Sequence, residues 1–141
     1  MGSPPTESPR LISMHLELAP VAKSSPRALV VNGQGRMYTS AKSRGYMKSV
    51  ADQVQDCLPP DWRPLDKPIA VMVTFYLAEP KTRRRVFPSV RPDVDNYLKA
   101  LFDGMTQAGI WVDDSIVCDI VASKRYGVPG ISISIAELES K

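Results

Sequence analysis

Pro92-Asp93-Val94-Asp95-Asn96-Tyr97-Leu98-Lys99-Ala100-Leu101-Phe102-Asp103-Gly104-Met105 is the stretch whose reading decides the fold. Val94, Leu98, Leu101, Phe102 and Met105 fall at i, i+4, i+7, i+8 and i+11, the spacing of one apolar face of a helix. Proline is favoured where a helix starts and glycine where it ends. The stretch therefore predicts an amphipathic helix between Pro92 and Gly109, with Asp95, Lys99 and Asp103 on its polar face. Upstream, Ile69, Val71, Val73, Phe75 and Leu77 alternate strictly, which is the period of a strand. Downstream, two strands are expected at about 115–124 and 130–136, the second marked by Ile131-Ser132-Ile133-Ser134-Ile135.

Further toward the N-terminus, Ser40 is placed to cap a helix in which Tyr46, Met47, Val50, Val54 and Leu58 repeat before Pro59-Pro60 stops it. Asn32-Gly33 predicts a tight turn joining short strands at 29–31 and 36–38. Ile12, Met14, Leu16 and Leu18 alternate as a first strand, with His15 a half-buried member of it. The resulting order argues for an α+β domain: a small mixed β-sheet packed with two main helices. Residues 1–10, rich in Ser and Pro, read as a disordered tail, and residues 11–141 as a single domain.

The composition excludes several classes. Of the 141 residues, 43% are hydrophobic and 23% charged, which is ordinary for a chain that buries a core. No run approaches the ~18 consecutive apolar residues of a membrane helix, and the N-terminus lacks the pattern of a secretory signal, so the expectation is a cytoplasmic protein without a membrane partner. The two cysteines, Cys57 and Cys118, are far apart and His15 is the sole histidine, so no zinc spacing exists. Any nucleophilic triad would have to pass through His15, which lies among strand residues.

Charge is distributed unevenly within a net of +3. Lys81, Arg83, Arg84, Arg85 and Arg91 occur with no acidic residue between the first and the last, and Asp93 and Asp95 follow at once. Residues two apart on a helix diverge by about 200°. With Asp93 in the turn before the helix, however, its carboxylate is free to fold back toward Asp95. Lys99 lies four residues after Asp95 and shares its face. Asp113-Asp114 form a second acidic pair beyond Gly109. Clustered oxygen ligands without histidine or thiolate select Mg²⁺, or Mn²⁺ in its place, over softer metals. An EF-hand is excluded because the sixth and twelfth positions counted from Asp93 are Leu98 and Gly104. Each feature alone has a plainer reading: a helix cap, a solvated ion pair, a turn, a basic loop. Together they suit a metal-dependent phosphodiesterase, which needs cations to grip a polyanion and carboxylates to hold an ion.

The string Arg91-Pro92-Asp93-Val94-Asp95-Asn96-Tyr97-Leu98-Lys99, its helix, and then Ile110-Trp111-Val112-Asp113-Asp114-Ser115 resemble the RusA family of Holliday-junction resolvases. That family's pattern is R-x-D-x-D-N-x-x-K, a helix, and a D-D pair about twenty residues on. Outside 91–115 the likeness is one of layout: a first strand, a basic loop at 23–27, Gly-Arg-Met-Tyr-Thr at 35–39, and a terminal strand pair. The resemblance implies a homodimeric, Mg²⁺-dependent endonuclease that nicks opposed strands of a four-way DNA junction. It places catalytic roles on Asp93, Asp95, Asp114 and Lys99, and metal ligation on the same three aspartates with Asp113 beside them. Lys23, Arg27, Lys81, Arg83, Arg84, Arg85 and Arg91 are the candidate DNA contacts, and Phe87 a candidate to stack on an unpaired base. A nuclease for flaps or other branched DNA, and a non-catalytic DNA-binding module, remain open beside it. For the dimer, either the Ile131/Ile133/Ile135 face or the strand at 69–77 is the expected contact.

Overall fold

The computed structural model describes residues 8–23, 27–31, 34–38, 41–82 and 85–138, with the backbone alone over 27–38. Along the chain run β1 (Leu11–Leu16), β2 (Arg27–Val31), β3 (Gln34–Tyr38), α1 (Ala41–Cys57), β4 (Ile69–Leu77), α2 (Val94–Ala108), β5 (Val117–Tyr126) and β6 (Gly130–Glu137). A four-stranded sheet has the order β1-β6-β4-β5, and β2 and β3 form a separate two-stranded sheet. β4 and β5 are parallel, while β6 is antiparallel to both β1 and β4. The sheet is therefore mixed, because α2 carries the chain across between β4 and β5. Parallel neighbours require such a crossover. The α+β architecture expected from the element order is the one observed.

The strand periodicities translate directly into one covered face. Met14, Leu16, Val71, Val73, Phe75, Ile131, Ile133 and Ile135 are buried, together with Tyr46, Val50 and Val54 of α1 and Tyr97, Leu101 and Met105 of α2. Phe75 stacks on Tyr97 with ring centroids 5.5 Å apart. A fully buried Phe of this kind stabilises the fold by about 1.5–3 kcal/mol. On the opposite face Ser13, His15, Met72, Val121 and Ser134 are exposed or only partly covered.

Two expectations are corrected by this layering. His15 is exposed rather than half-buried, because no second layer among the described residues covers its side of the sheet; its Nδ1 lies 2.9 Å from the Ser132 hydroxyl. The Ile131/Ile133/Ile135 face and the apolar face of β4 are packed under the helices of their own chain, on interior strands, and are not free for a partner. β5 starts at Val117 rather than 115, since a 3-10 turn over Asp114–Ile116 precedes it. Ser40 and Asn32-Gly33, read as a cap and a turn, lie outside the described residues. Arg10, counted with the tail, is tied to the domain: its backbone N–H donates to Glu137 Oε1 at 2.7 Å and its guanidinium lies 4.8 Å from the Trp62 ring centre.

Candidate active site

The N-terminus of α2 is where the sequence motif becomes geometry. Asp93 is the N-cap residue in extended conformation (φ −71°, ψ 150°), following a cis Arg91–Pro92 peptide. Its backbone carbonyl accepts from the Asn96 N–H at 3.1 Å and the Tyr97 N–H at 3.4 Å. Its carboxylate makes no capping bond, although an N-cap aspartate ordinarily does. That side chain is left available at the positive end of the helix dipole. Asp95 follows in the first turn, and Lys99 Nζ stands 3.7 Å from Asp95 Oδ2, both side chains 63% exposed. An exposed pair at this spacing contributes only ~0.3–0.5 kcal/mol, so a multivalent cation or a phosphate displaces it easily.

Further along the same helix, Asp103 takes Lys23 Nζ at 2.8 Å, and the Lys23 backbone N–H donates to the Asn96 carbonyl at 3.0 Å. Lys23 is thus laid along α2, close to the acidic residues, rather than displayed on a remote loop. The helix ends at Gly109, whose φ of 77° is the left-handed conformation that glycine adopts without strain.

Beyond Gly109, Trp111 anchors the second acidic pair. Its indole N–H donates to Thr106 Oγ1 at 2.7 Å, and its ring meets Phe102 edge-on at 5.2 Å. Backbone bonds Leu65 N–H to Ile110 O and Val112 N–H to Leu65 O, each 2.9 Å, fasten the segment to the chain ahead of β4. Asp113 and Asp114 then differ in what their side chains do. The Asp113 carboxylate caps the 3-10 turn, accepting from the Ser115 N–H at 3.2 Å. Hydrogen bonding from the Ser115 hydroxyl and backbone N–H holds it below the ordinary carboxylate range. Asp114 is exposed at the first position of that turn. Both border an open groove that also includes Asp103 and Met47.

The structure therefore brings Asp93, Asp95 and Lys99 to one helix end, and Asp103, Asp113 and Asp114 to one groove. Among the described residues, no group of three or more His, Cys, Asp or Glu closes on a single point. The donor set nonetheless fits Mg²⁺ or Mn²⁺. Asp93 and Asp95 are exposed, hard oxygen donors, the first without a capping bond, and Mg²⁺ is commonly held by one or two carboxylates, the rest being water and substrate phosphate.

Of the cationic candidates, Lys81 and Arg91 are exposed, and Arg85 donates to the Ser89 carbonyl at 3.0 Å, folding its loop back on itself. Arg27 opens β2, of which only the backbone is described; Arg83 and Arg84 lie outside the described residues. Phe87 is 56% exposed and carries the Arg125 guanidinium 5.0 Å from its ring centre. Sequence reasoning passed over Lys124, read as the last residue of a strand, and Arg125, just beyond it. They border an open groove with Phe87, Ser89 and Val94, next to the start of α2. Only the parallel pairing of β5 with β4 puts them there.

Comparison with known proteins agrees with the motif. Residues 17–136 match the family described as Endodeoxyribonuclease RusA. The chain is 30% identical over 134 residues to the uncharacterized protein YqaN of Bacillus subtilis (strain 168), a match covering 86% of this chain and 92% of that one. It is 32% identical over 109 residues to the crossover junction endodeoxyribonuclease RusA of Escherichia coli (strain K12), covering 76% of this chain and 82% of the relative. The protein of the same name from Enterobacteria phage 82 is similar to the same extent, 32% over 109 residues with the same coverage.

Proposed function

Because the chain belongs to the RusA endodeoxyribonuclease family and is a nuclease by that membership, we propose that it resolves four-way DNA junctions by paired, Mg²⁺-dependent nicks. The observation that carries this reading is the uncapped Asp93 carboxylate beside Asp95 and Lys99 at the exposed N-terminus of α2. Asp93 and Asp95 would hold a divalent ion there, with Asp113 and Asp114 as the second acidic group. When bound, the ion supplies electrophilic stabilisation of the phosphoryl oxygens and makes water a competent nucleophile near neutral pH. Lys99, exposed and only loosely paired with Asp95, would donate to the phosphoryl or leaving oxygen as negative charge accumulates there. Lys23, Arg27, Lys81, Arg83, Arg84, Arg85 and Arg91 offset the repulsion between this acidic end and DNA, contacting phosphates and so carrying no sequence information. Phe87 offers a ring for an unpaired base at the branch point.

The homodimer belongs to the same proposal. Two nicks on opposed strands need two equivalent sites, and the chain carries one such constellation and no internal repeat. An isologous dimer supplies the second site across a two-fold axis, matching the approximate symmetry of the junction.

A nicking assay on four-way, flap and linear DNA tests the reading. In Mg²⁺ the four-way junction is expected to be cut on two opposed strands, and in EDTA not at all. Asp93→Asn, Asp95→Asn and Asp114→Asn should each fold and bind the junction at least as tightly as wild type, since a charge that repels phosphate is gone, yet fail to nick. Preferential cutting of flaps would move the substrate to another branched DNA. Cleavage by Asp93→Asn at the wild-type rate would remove the site assignment altogether.

A further inference from the structure

Residues 85–93 form neither helix nor strand, yet the last of them presents the carboxylate on which the proposed chemistry turns. What fastens the end of this segment to the sheet is Lys124. It stands on β5 opposite Phe75 of β4. Its Nζ donates to the Val90 carbonyl at 2.7 Å and to the Pro92 carbonyl at 2.9 Å. The Pro92 carbonyl shares a peptide plane with the Asp93 nitrogen, so holding one orients the other. Hydrogen bonds from an ammonium are roughly twice as strong as neutral ones. Phe75, fully buried, stacks on Tyr97 in the first turns of α2, so strand and helix start are already packed together. Lys124 closes the remaining side of that frame.

We infer that Lys124 is a positioning residue: its two bonds to the Val90 and Pro92 carbonyls set where the Asp93 carboxylate stands. Its importance for cutting DNA rests on the function proposed above, whereas the clamp itself is a property of the metal-free protein. Lys124→Met keeps the aliphatic stem and removes the donors; Lys124→Arg keeps donors with altered reach. In hydrogen exchange on the metal-free protein, Lys124→Met should accelerate the Asn96 and Tyr97 amides, which bond to the Asp93 carbonyl, and leave the C-terminal half of α2 unchanged. Mn²⁺ binding followed by electron paramagnetic resonance should weaken. Single-turnover nicking at saturating protein should fall by roughly ten- to a hundred-fold, the range a displacement of about 1 Å produces, with junction affinity in EDTA retained. Lys124→Arg should recover part of each loss.

Wild-type exchange at Asn96 and Tyr97, or unchanged Mn²⁺ affinity, in Lys124→Met overturns the inference. So does a loss of junction affinity with nicking at saturation intact, which would make Lys124 a phosphate contact instead. Equal acceleration along all of α2, in Lys124→Met and Lys124→Gln alike, would reveal a general structural role and overturn it as well. If the wild type cut no DNA, the nuclease reading would fall, and the exchange and Mn²⁺ measurements would still decide the role of Lys124.

Discussion

Tyr46 shows what one buried polar atom does to this protein. Its side chain is buried, its hydroxyl lies near the Val21 backbone without a well-formed hydrogen bond, and burial pushes its pKa up to about 12. An unfolded tyrosine ionises near pH ~10. Between that pH and about 12 the unfolded chain therefore loses a proton that the folded one keeps. Stability attached to this group is complete below the unfolded value and is lost as pH rises through that window, on the order of 2 kcal/mol. Urea denaturation from neutral pH up through this window should show that decline in wild type and a shallower one in Tyr46→Phe. At neutral pH the variant should be as stable or more so, because an unsatisfied hydroxyl is removed. Parallel declines would mean that Tyr46 is not the group responsible. Asp113 and Asp114 make the complementary point. They are adjacent and identical in the sequence, and only the 3-10 turn distinguishes the capping carboxylate from the exposed one.

At the scale of elements, α2 has two roles: its buried stripe holds the core and its outer face carries Asp95 and Lys99. Its seating depends on Gly104. A Cβ built there would lie 2.5 Å from Val50 Cγ1 and 3.2 Å from the Met47 carbonyl, so α1 and α2 approach each other at this point. Gly104→Ala should destabilise the protein by about 1–3 kcal/mol through overpacking. Adding Val50→Ala should recover part of that loss, because the two sites share the same space. Denaturation midpoints of the single and double variants give the coupling, and strict additivity would refute it. In the proposed function, the arginines of the basic loop between β4 and α2 act through charge. Replacing Arg83, Arg84 and Arg85 with Ala should weaken binding to every DNA containing duplex, and the plot of log affinity against log salt should flatten by roughly 0.9 for each phosphate no longer neutralised. An unchanged slope would mean that these arginines face bulk solvent.

For the molecule as a whole, the proposed pair of cuts needs two acidic constellations, and each chain carries one. Light scattering at micromolar concentration should report about twice the chain mass. Mixing wild type with Asp95→Asn should produce heterodimers that nick one strand and fail to make the paired incision. A monomer that makes both nicks within one binding event would contradict the dimer and the junction reading together. The isoleucine face is buried under the helices of its own chain and is not available for such an association. The exposed side of the sheet, with Met72 and Val121, is the one that no helix among the described residues covers.

Much of this architecture was written in consecutive residues. The alternation at 69–77, the stripe from Val94 to Met105 and the stop at Gly109 depend on periods of about 2 and 3.6, so neighbours along the chain determine strand, helix and buried face. The alternating aspartates and Lys99 were legible for the same reason: helix geometry brings residues four apart onto one face. What the sequence by itself did not determine were relations between segments distant along the chain. That β5 lies parallel beside β4, that the uncovered face is the one bearing His15, and that Lys124 reaches the Val90 and Pro92 carbonyls all follow from strand order and register. Those are set by which faces bury best against one another in three dimensions, and a local period carries no record of its distant partner.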